Sequence, residues 1–276
     1  MEKLKDFAQI VSQAERGELV FPTSVNAALQ LQLALADPDC VTDDVVRRVL
    51  AEPRLAARTV ALSNSAVFNR RGPLVTGVRA AVLRVGYRNL YTMAAAMVVR
   101  QFGNRIRDRL LRAQAEQLWR HTAHVAALAH VLARHVTGVD PDTALFAGIV
   151  HEAGGFYLLS RADEMPGLLD DPAEWMGAAQ EIITREMMRK LAIPEPVALA
   201  IVALRGATLS PPPAGLLDTL LLAKRLAPVA SPLARPTGPD HADGALEQYV
   251  RDNPELERIL RLSAADAGSM SAALLA

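Results

Sequence analysis

Apolar residues return every three or four positions along nearly the whole sequence, while runs of β-branched residues stay short. That spacing follows the helical turn rather than the two-residue alternation of a strand, so the sequence predicts an all-α fold. Alanine and leucine dominate the apolar positions, and both enter helices at little conformational cost. Glycine, proline and hydroxyl residues cut the pattern into short pieces.

A first amphipathic segment runs from about Lys3 to Arg16 and stops at Gly17. The turn Phe21-Pro22-Thr23-Ser24 then offers caps to a helix bearing Val25, Ala28, Leu29 and Leu33, which Asp37-Pro38 ends. Thr42 heads a short helix to Leu50. Pro53 opens the next, which closes at Ser63-Asn64-Ser65, where short polar side chains compete for the helical backbone. After a loop holding Arg70-Arg71-Gly72-Pro73, helices are expected at about Val78 to Val85 and Asn89 to Phe102, parted by Gly86. One or two longer helices fill Arg105 to about His135, before Gly138 and Pro141. Further helices are expected at Pro141 to Val150, Gly155 to Arg161, Pro172 to Leu191, Glu195 to Arg205 and Leu216 to Leu226. The proline run at Pro211-Pro212-Pro213 makes a turn, Ser231 to Gly244 reads as a linker, and weak helical periodicity returns from about Ala245 to Leu275. The organisation expected is an N-terminal helical part at 1–103, a second helical part at 104–228, and a linker with C-terminal helices, 229–276, packing back on both.

A chain of 276 residues buries enough core to need no covalent staple, and its one cysteine, Cys40, has no partner for a disulfide or a thiolate metal site. A reducing, cytoplasmic setting is expected. Acids in Met1-Glu2-Lys3-Leu4-Lys5-Asp6 argue against a secretory leader. The strongest apolar runs, Met93 to Val99 and Leu216 to Ala223, fall well short of the roughly 20 residues that cross a bilayer. With 30 basic and 30 acidic residues, the chain lacks the field that gathers nucleic acid. Arg100, Arg105, Arg107, Arg109 and Arg112 form a local exception: a solvated helix surface on the plain reading, an anion-attracting face on the functional one.

Five segments together resemble the HDOD family, in its order, across roughly Phe21 to Arg205. Val49 to Arg58 with Leu62-Ser63-Asn64-Ser65-Ala66 is similar to the family's helix ending in Asp-Pro, its Leu-x-x-Arg helix and its Ala-Asn-Ser-Ala turn, with Glu52 in place of the Asp. Phe21-Pro22-Thr23 resembles the leading Leu-Pro element, and Ala80 to Gly86 the Ala-Ile-x-x-Leu-Gly element. Leu118-Trp119-Arg120-His121-Thr122 and Ala144 to Gly154, which contains Gly148 and His151, complete the set. The motif residues are therefore Pro22, Pro53, Arg58, Asn64, Ser65, Gly86, Trp119, His121, Gly148, His151 and Gly154.

The resemblance implies a multi-helix N-terminal bundle packed on a bundle like that of HD hydrolases, and a regulatory role in bacterial signalling. HD hydrolases hold a divalent metal with a first His, a His-Asp pair and a later Asp, so that bound water can attack phosphorus. By that resemblance His121 and His151 stand at the two histidine positions. The paired acid is Glu152, one methylene longer than aspartate; Gly155 stands where a lysine is expected; Gln180 stands where many HDOD chains carry a further histidine. A metal, if bound, would rest on His121, His151 and Glu152; a degenerate site with no metal and no cofactor is the favoured expectation.

Plainer readings stand beside these. His121 and His124, on one helix face, serve equally as packing-seam groups bonded to backbone or to Glu152. Trp119 reads as a core anchor and Asn64 as a helix-stop residue. Gly154-Gly155 lacks the surrounding signature of a phosphate loop. Three functional expectations follow: a non-enzymatic module acting through other signalling proteins (a kinase, response regulator or cyclic-dinucleotide enzyme); a metal-dependent hydrolase of nucleotides or cyclic dinucleotides; and a pocket that senses a phosphorylated ligand without turnover. A homodimer stays open.

Overall fold

Why the long helix α5 (Val78–Gly103) sits at the centre follows from its composition. From Leu90 to Val99 it is apolar on nearly every side, and a helix of that kind must be enclosed by others. In the computed structural model, which describes residues 2–19, 21, 26–35, 37–65, 68–69, 72–171, 175–209, 211–234 and 244–275, α5 (Val78–Gly103) is flanked by α2 (Asn26–Leu35), α3 (Thr42–Leu50) and α4 (Pro53–Ser63) on one side. On the other it meets α7 (Pro141–Val150) and α8 (Ala153–Ala162). α5 bends at Gly86, whose φ of 77° leaves the helical range. The motif segment Phe21 to Thr23 is described only at Phe21, so Pro22 lies outside the described residues.

Local chemistry sets the element ends. Asp43 and Asp44 open α3 and Arg47 and Arg48 close it, matching charge to the helix dipole. Asn64 stops α4 and grips the approach to α5: its Nδ2 donates to Val75 O at 2.7 Å and its Oδ1 accepts from Val75 N at 2.8 Å. Asp108 caps α6 (Arg109–Leu132) by accepting from Leu110 N and Leu111 N, both at 2.9 Å. The helix then loosens into a π turn over Ala133–Thr137 and ends on left-handed Gly138.

α6 and α7 pack most closely at Gly148. A Cβ there would lie 2.5 Å from Ala126 Cα, so only glycine lets the two backbones meet. α1 (Glu2–Glu15) buries Phe7, Ile10 and Ala14 against α9 (Ala178–Lys190). Each large apolar side chain buried in this way contributes about 1.5–3 kcal/mol. The helix expected from Pro172 to Leu191 is broken at Gly177, whose backbone is fully extended at the N-cap of α9; Pro172 to Glu174 lie outside the described residues. α10 (Glu195–Ala203) and α11 (Gly215–Leu226) finish the second bundle. α12 (Gly244–Asp252), α13 (Pro254–Leu262) and α14 (Ala264–Leu275) follow, and α14 packs on both α6 and α4. The buried apolar residues form one continuous core, and the described residues contain no strand and no helix long and apolar enough to cross a membrane.

Candidate functional site

Four elements converge on a cavity of about 400 Å³. α6 supplies His121, the end of α7 supplies His151, the start of α8 supplies Glu152, and α11 supplies Lys224. His121 Nδ1 lies 2.7 Å from Val229 O and His151 Nδ1 lies 2.6 Å from Gly148 O. A carbonyl oxygen can only accept, so each Nδ1 carries the proton and each Nε2 is left with a lone pair. Both Nε2 atoms are buried with no hydrogen-bond partner, and the rings stand 5.6 Å apart.

Electrostatics keep this arrangement in one protonation state at neutral pH. Burial pushes His151 down to about 3, and the Lys224 charge adds to the fall. His121 is lowered too, chiefly by burial. For Glu152, burial is the largest effect and opposes ionisation, but the Lys224 ammonium, with His151 and His121 adding to it, outweighs that penalty and holds the carboxyl well below the usual range. Lys224 Nζ sits 3.3 Å from Glu152 Oε1, and His151 Nε2 lies 3.7 Å from the same oxygen. The site thus pairs two neutral imidazoles with one buried ion pair.

Donor atoms of His121, His151 and Glu152 lie within 4.8 Å of one another, and among the described residues no fourth ligand joins them. The two imidazole lone pairs suit a divalent metal. The carboxylate does not, because an internal cation already neutralises it and would repel a dication placed between the three donors. As arranged, the set does not fit an HD-type metal centre. Gln180 and Thr184 line the cavity on the α9 side, where the resemblance implies further ligands. At Gly155 a Cβ would lie 2.7 Å from Leu233 Cδ1 and 3.1 Å from Glu152 Oε2, so a side chain where a lysine is expected would have to displace Leu233. The cation reaches the carboxylate from Lys224 instead. Lys224 went unread in the sequence because 72 residues and several helices separate it from Glu152.

The remaining motif residues are spread through the structure. Pro53 is the first residue of α4, and Ser65 Oγ donates to Leu62 O at 2.8 Å. Trp119 is buried, with its ring 6.2 Å from that of Phe156. Gly154 faces Thr184, whose Oγ1 would lie 2.7 Å from a Cβ. Gly86 is the bend in α5, and Arg58 is half-buried on α4 away from the imidazoles. The arginine run does not form one face. Arg105, Arg107, Arg109 and Arg112 are exposed around the α5–α6 turn, whereas Arg100 turns inward, its guanidinium 5.6 Å from the Trp119 ring centre.

The HDOD domain profile matches residues 21–192. This chain belongs to the HDOD family. Solved structures agree on the fold of this HDOD chain. A candidate metal-dependent phosphohydrolase from Shewanella amazonensis SB2B is 19% identical, with a TM-score of 0.71 over 99% of this chain and 100% of that one. An HDOD domain protein of unknown function from Geobacter sulfurreducens is 18% identical, with a TM-score of 0.61 over 99% and 97%. A candidate signal transduction protein from Marinobacter aquaeolei VT8 is also 18% identical, with a TM-score of 0.58 over 99% of this chain and 66% of that one. No curated protein matches the HDOD chain.

Proposed function

We propose that this HDOD chain is a non-enzymatic regulatory module of signal transduction, acting by contact with other signalling proteins such as a kinase, a response regulator or a cyclic-dinucleotide enzyme. The observation that carries this reading is the Lys224–Glu152 pair at 3.3 Å. It places a protein cation beside the carboxylate that a catalytic metal would need, and so turns a reaction centre into a structural ionic tie. Membership of a family with a signal-transduction protein among its structural neighbours supports the regulatory part.

One observation favours a second reading, a divalent-metal phosphohydrolase or phosphodiesterase on nucleotides or cyclic dinucleotides: the two buried Nε2 atoms lack partners. That reading requires Lys224 to leave Glu152. The two are separated by titrating the purified chain with Mn²⁺, Ni²⁺, Zn²⁺ and Mg²⁺ and assaying nucleotide and cyclic-dinucleotide hydrolysis. The regulatory reading expects no stoichiometric metal and no turnover. Tight metal binding with turnover that His151→Ala abolishes would overturn it.

A further inference from the structure

Arg58 closes the Leu-x-x-Arg element of α4, yet neither the core nor the imidazole pocket uses it. Arg54 stands one helical turn before it, so both guanidinium groups leave α4 on the same face. The last turns of α5 present Met97, Arg100, Gln101 and Asn104 opposite, at the spacing of a single helix face. Together these residues line a cavity of about 430 Å³, within the range of small-molecule sites.

Three cations share this space, and the described residues lining it include no anion. Among the described residues, no carboxylate forms an ion pair with Arg54, Arg58 or Arg100, although Arg47, Arg79, Arg88, Arg161 and Arg185 each have one. Gathering like charges is unfavourable: burial first, then the charges of Arg100 and Arg54, push Arg58 below the ordinary guanidinium range. The cluster is also held in position. Arg100 lines the cavity and is restrained by its contact with the Trp119 ring and by donation from Nη1 to Leu275 O at 3.3 Å. Forked donors held in place are the form in which proteins recognise phosphoryl oxygens. Among the described residues no aromatic ring lines the cavity, so recognition falls on the phosphoryl groups rather than on a stacked base.

From three arginines lining one cavity, with no carboxylate of the described residues paired to them, and the room available, we infer that the α4–α5 cavity binds a small molecule carrying a diphosphate group, held by Arg54, Arg58 and Arg100. This site is separate from the imidazole pocket and stands whether or not that pocket is catalytic.

Isothermal titration of the full chain with inorganic pyrophosphate, in low-salt buffer, tests it. Saturable one-site binding is expected, weaker for orthophosphate than for pyrophosphate. Arg58→Gln is expected to weaken it roughly tenfold or more, the scale of losing a charge-assisted hydrogen bond. Arg58→Lys keeps the charge, loses the fork and falls between. If Arg58→Gln fails to fold by circular dichroism, Arg54→Gln at the exposed end of the cluster takes its place with the same expected direction. Arg112→Gln, outside the cavity, and Lys224→Met, in the other pocket, are expected to leave affinity unchanged. No binding by the native chain, full affinity in both Arg54→Gln and Arg58→Gln, or an equal loss in Arg112→Gln or Lys224→Met would each overturn the inference.

Discussion

Lys224→Met tests the ionic tie at the centre of the HD-derived pocket. Methionine keeps most of the aliphatic stem and removes the ammonium, leaving Glu152 almost fully buried and ionised with only neutral imidazoles nearby. Breaking a fully buried pair costs about 3–5 kcal/mol, whereas an exposed pair is worth about 0–1 kcal/mol. The Glu152 side chain is 11% exposed and that of Lys224 35%, so water already shares the load on the lysine side. The expected loss is therefore about 2 kcal/mol. In urea, with a slope near 3 kcal/mol/M for a chain of this size, that corresponds to a midpoint lowered by roughly 0.7 M at pH 7. The loss has a pH signature. In the native chain the Glu152 pKa is depressed, so its contribution is present above the unfolded value near 4.3 and fades as pH falls toward the folded value. Lys224→Met removes that depression, and the two stability curves should begin to draw together below about pH 4 and meet only near the folded value of about 2. Glu152→Gln in the Lys224→Met background should recover at least ~1 kcal/mol relative to additivity. Equal stability of Lys224→Met and the native chain at pH 7, or strict additivity in the cycle, would refute the view that this pair is an energetic tie.

Three further outcomes are expected. Gly148→Ala forces a Cβ to within 2.5 Å of Ala126 Cα, so α6 and α7 must separate, at about 1–3 kcal/mol in chemical denaturation. Asn64→Ala loses both bonds to Val75, for about 1–3 kcal/mol in the same assay, and hydrogen exchange should quicken at the Val75 amide. His151, with a folded pKa of about 3 against roughly 6.5 unfolded, leaves stability whole above pH 6.5 and withdraws about 2 kcal/mol by pH 5, because only the unfolded chain takes up the proton; His151→Asn should flatten that part of the urea-midpoint profile.

Legibility in the sequence followed the range of the forces involved. Helix boundaries set by local chemistry could be read directly: Pro53 opens α4, Asn64 stops it and Gly86 bends α5, each acting on its own backbone. The break ahead of α9 could not, since nothing in the spacing of apolar residues marks it and only the extended Gly177 backbone makes it. His121, His151 and Glu152 were legible through their motifs, and the fold does bring them together. Lys224 was not, because an ion pair between α8 and α11 leaves no periodic trace. The arginines failed in the opposite way. Arg100 and Arg105 are near neighbours in sequence, but the turn ahead of α6, where Asp163 accepts from Arg107 N and Asp108 N, sends them to different surfaces. Arg100 instead keeps company with Arg54 and Arg58, more than forty residues away.

Gly148 has two roles at one residue. Its missing side chain sets the gap between α6 and α7, and its carbonyl oxygen accepts the hydrogen bond donated by His151 Nδ1. The spacing of two helices and the position of an imidazole lone pair are thereby tied together: Gly148 and His151 both travel with α7, so a partner that levers α7 away from α6 also carries the His151 ring away from His121, and a group captured between the two rings would hold the helices at a set separation. Mechanical force on the bundle and occupancy of the pocket become two readings of the same displacement.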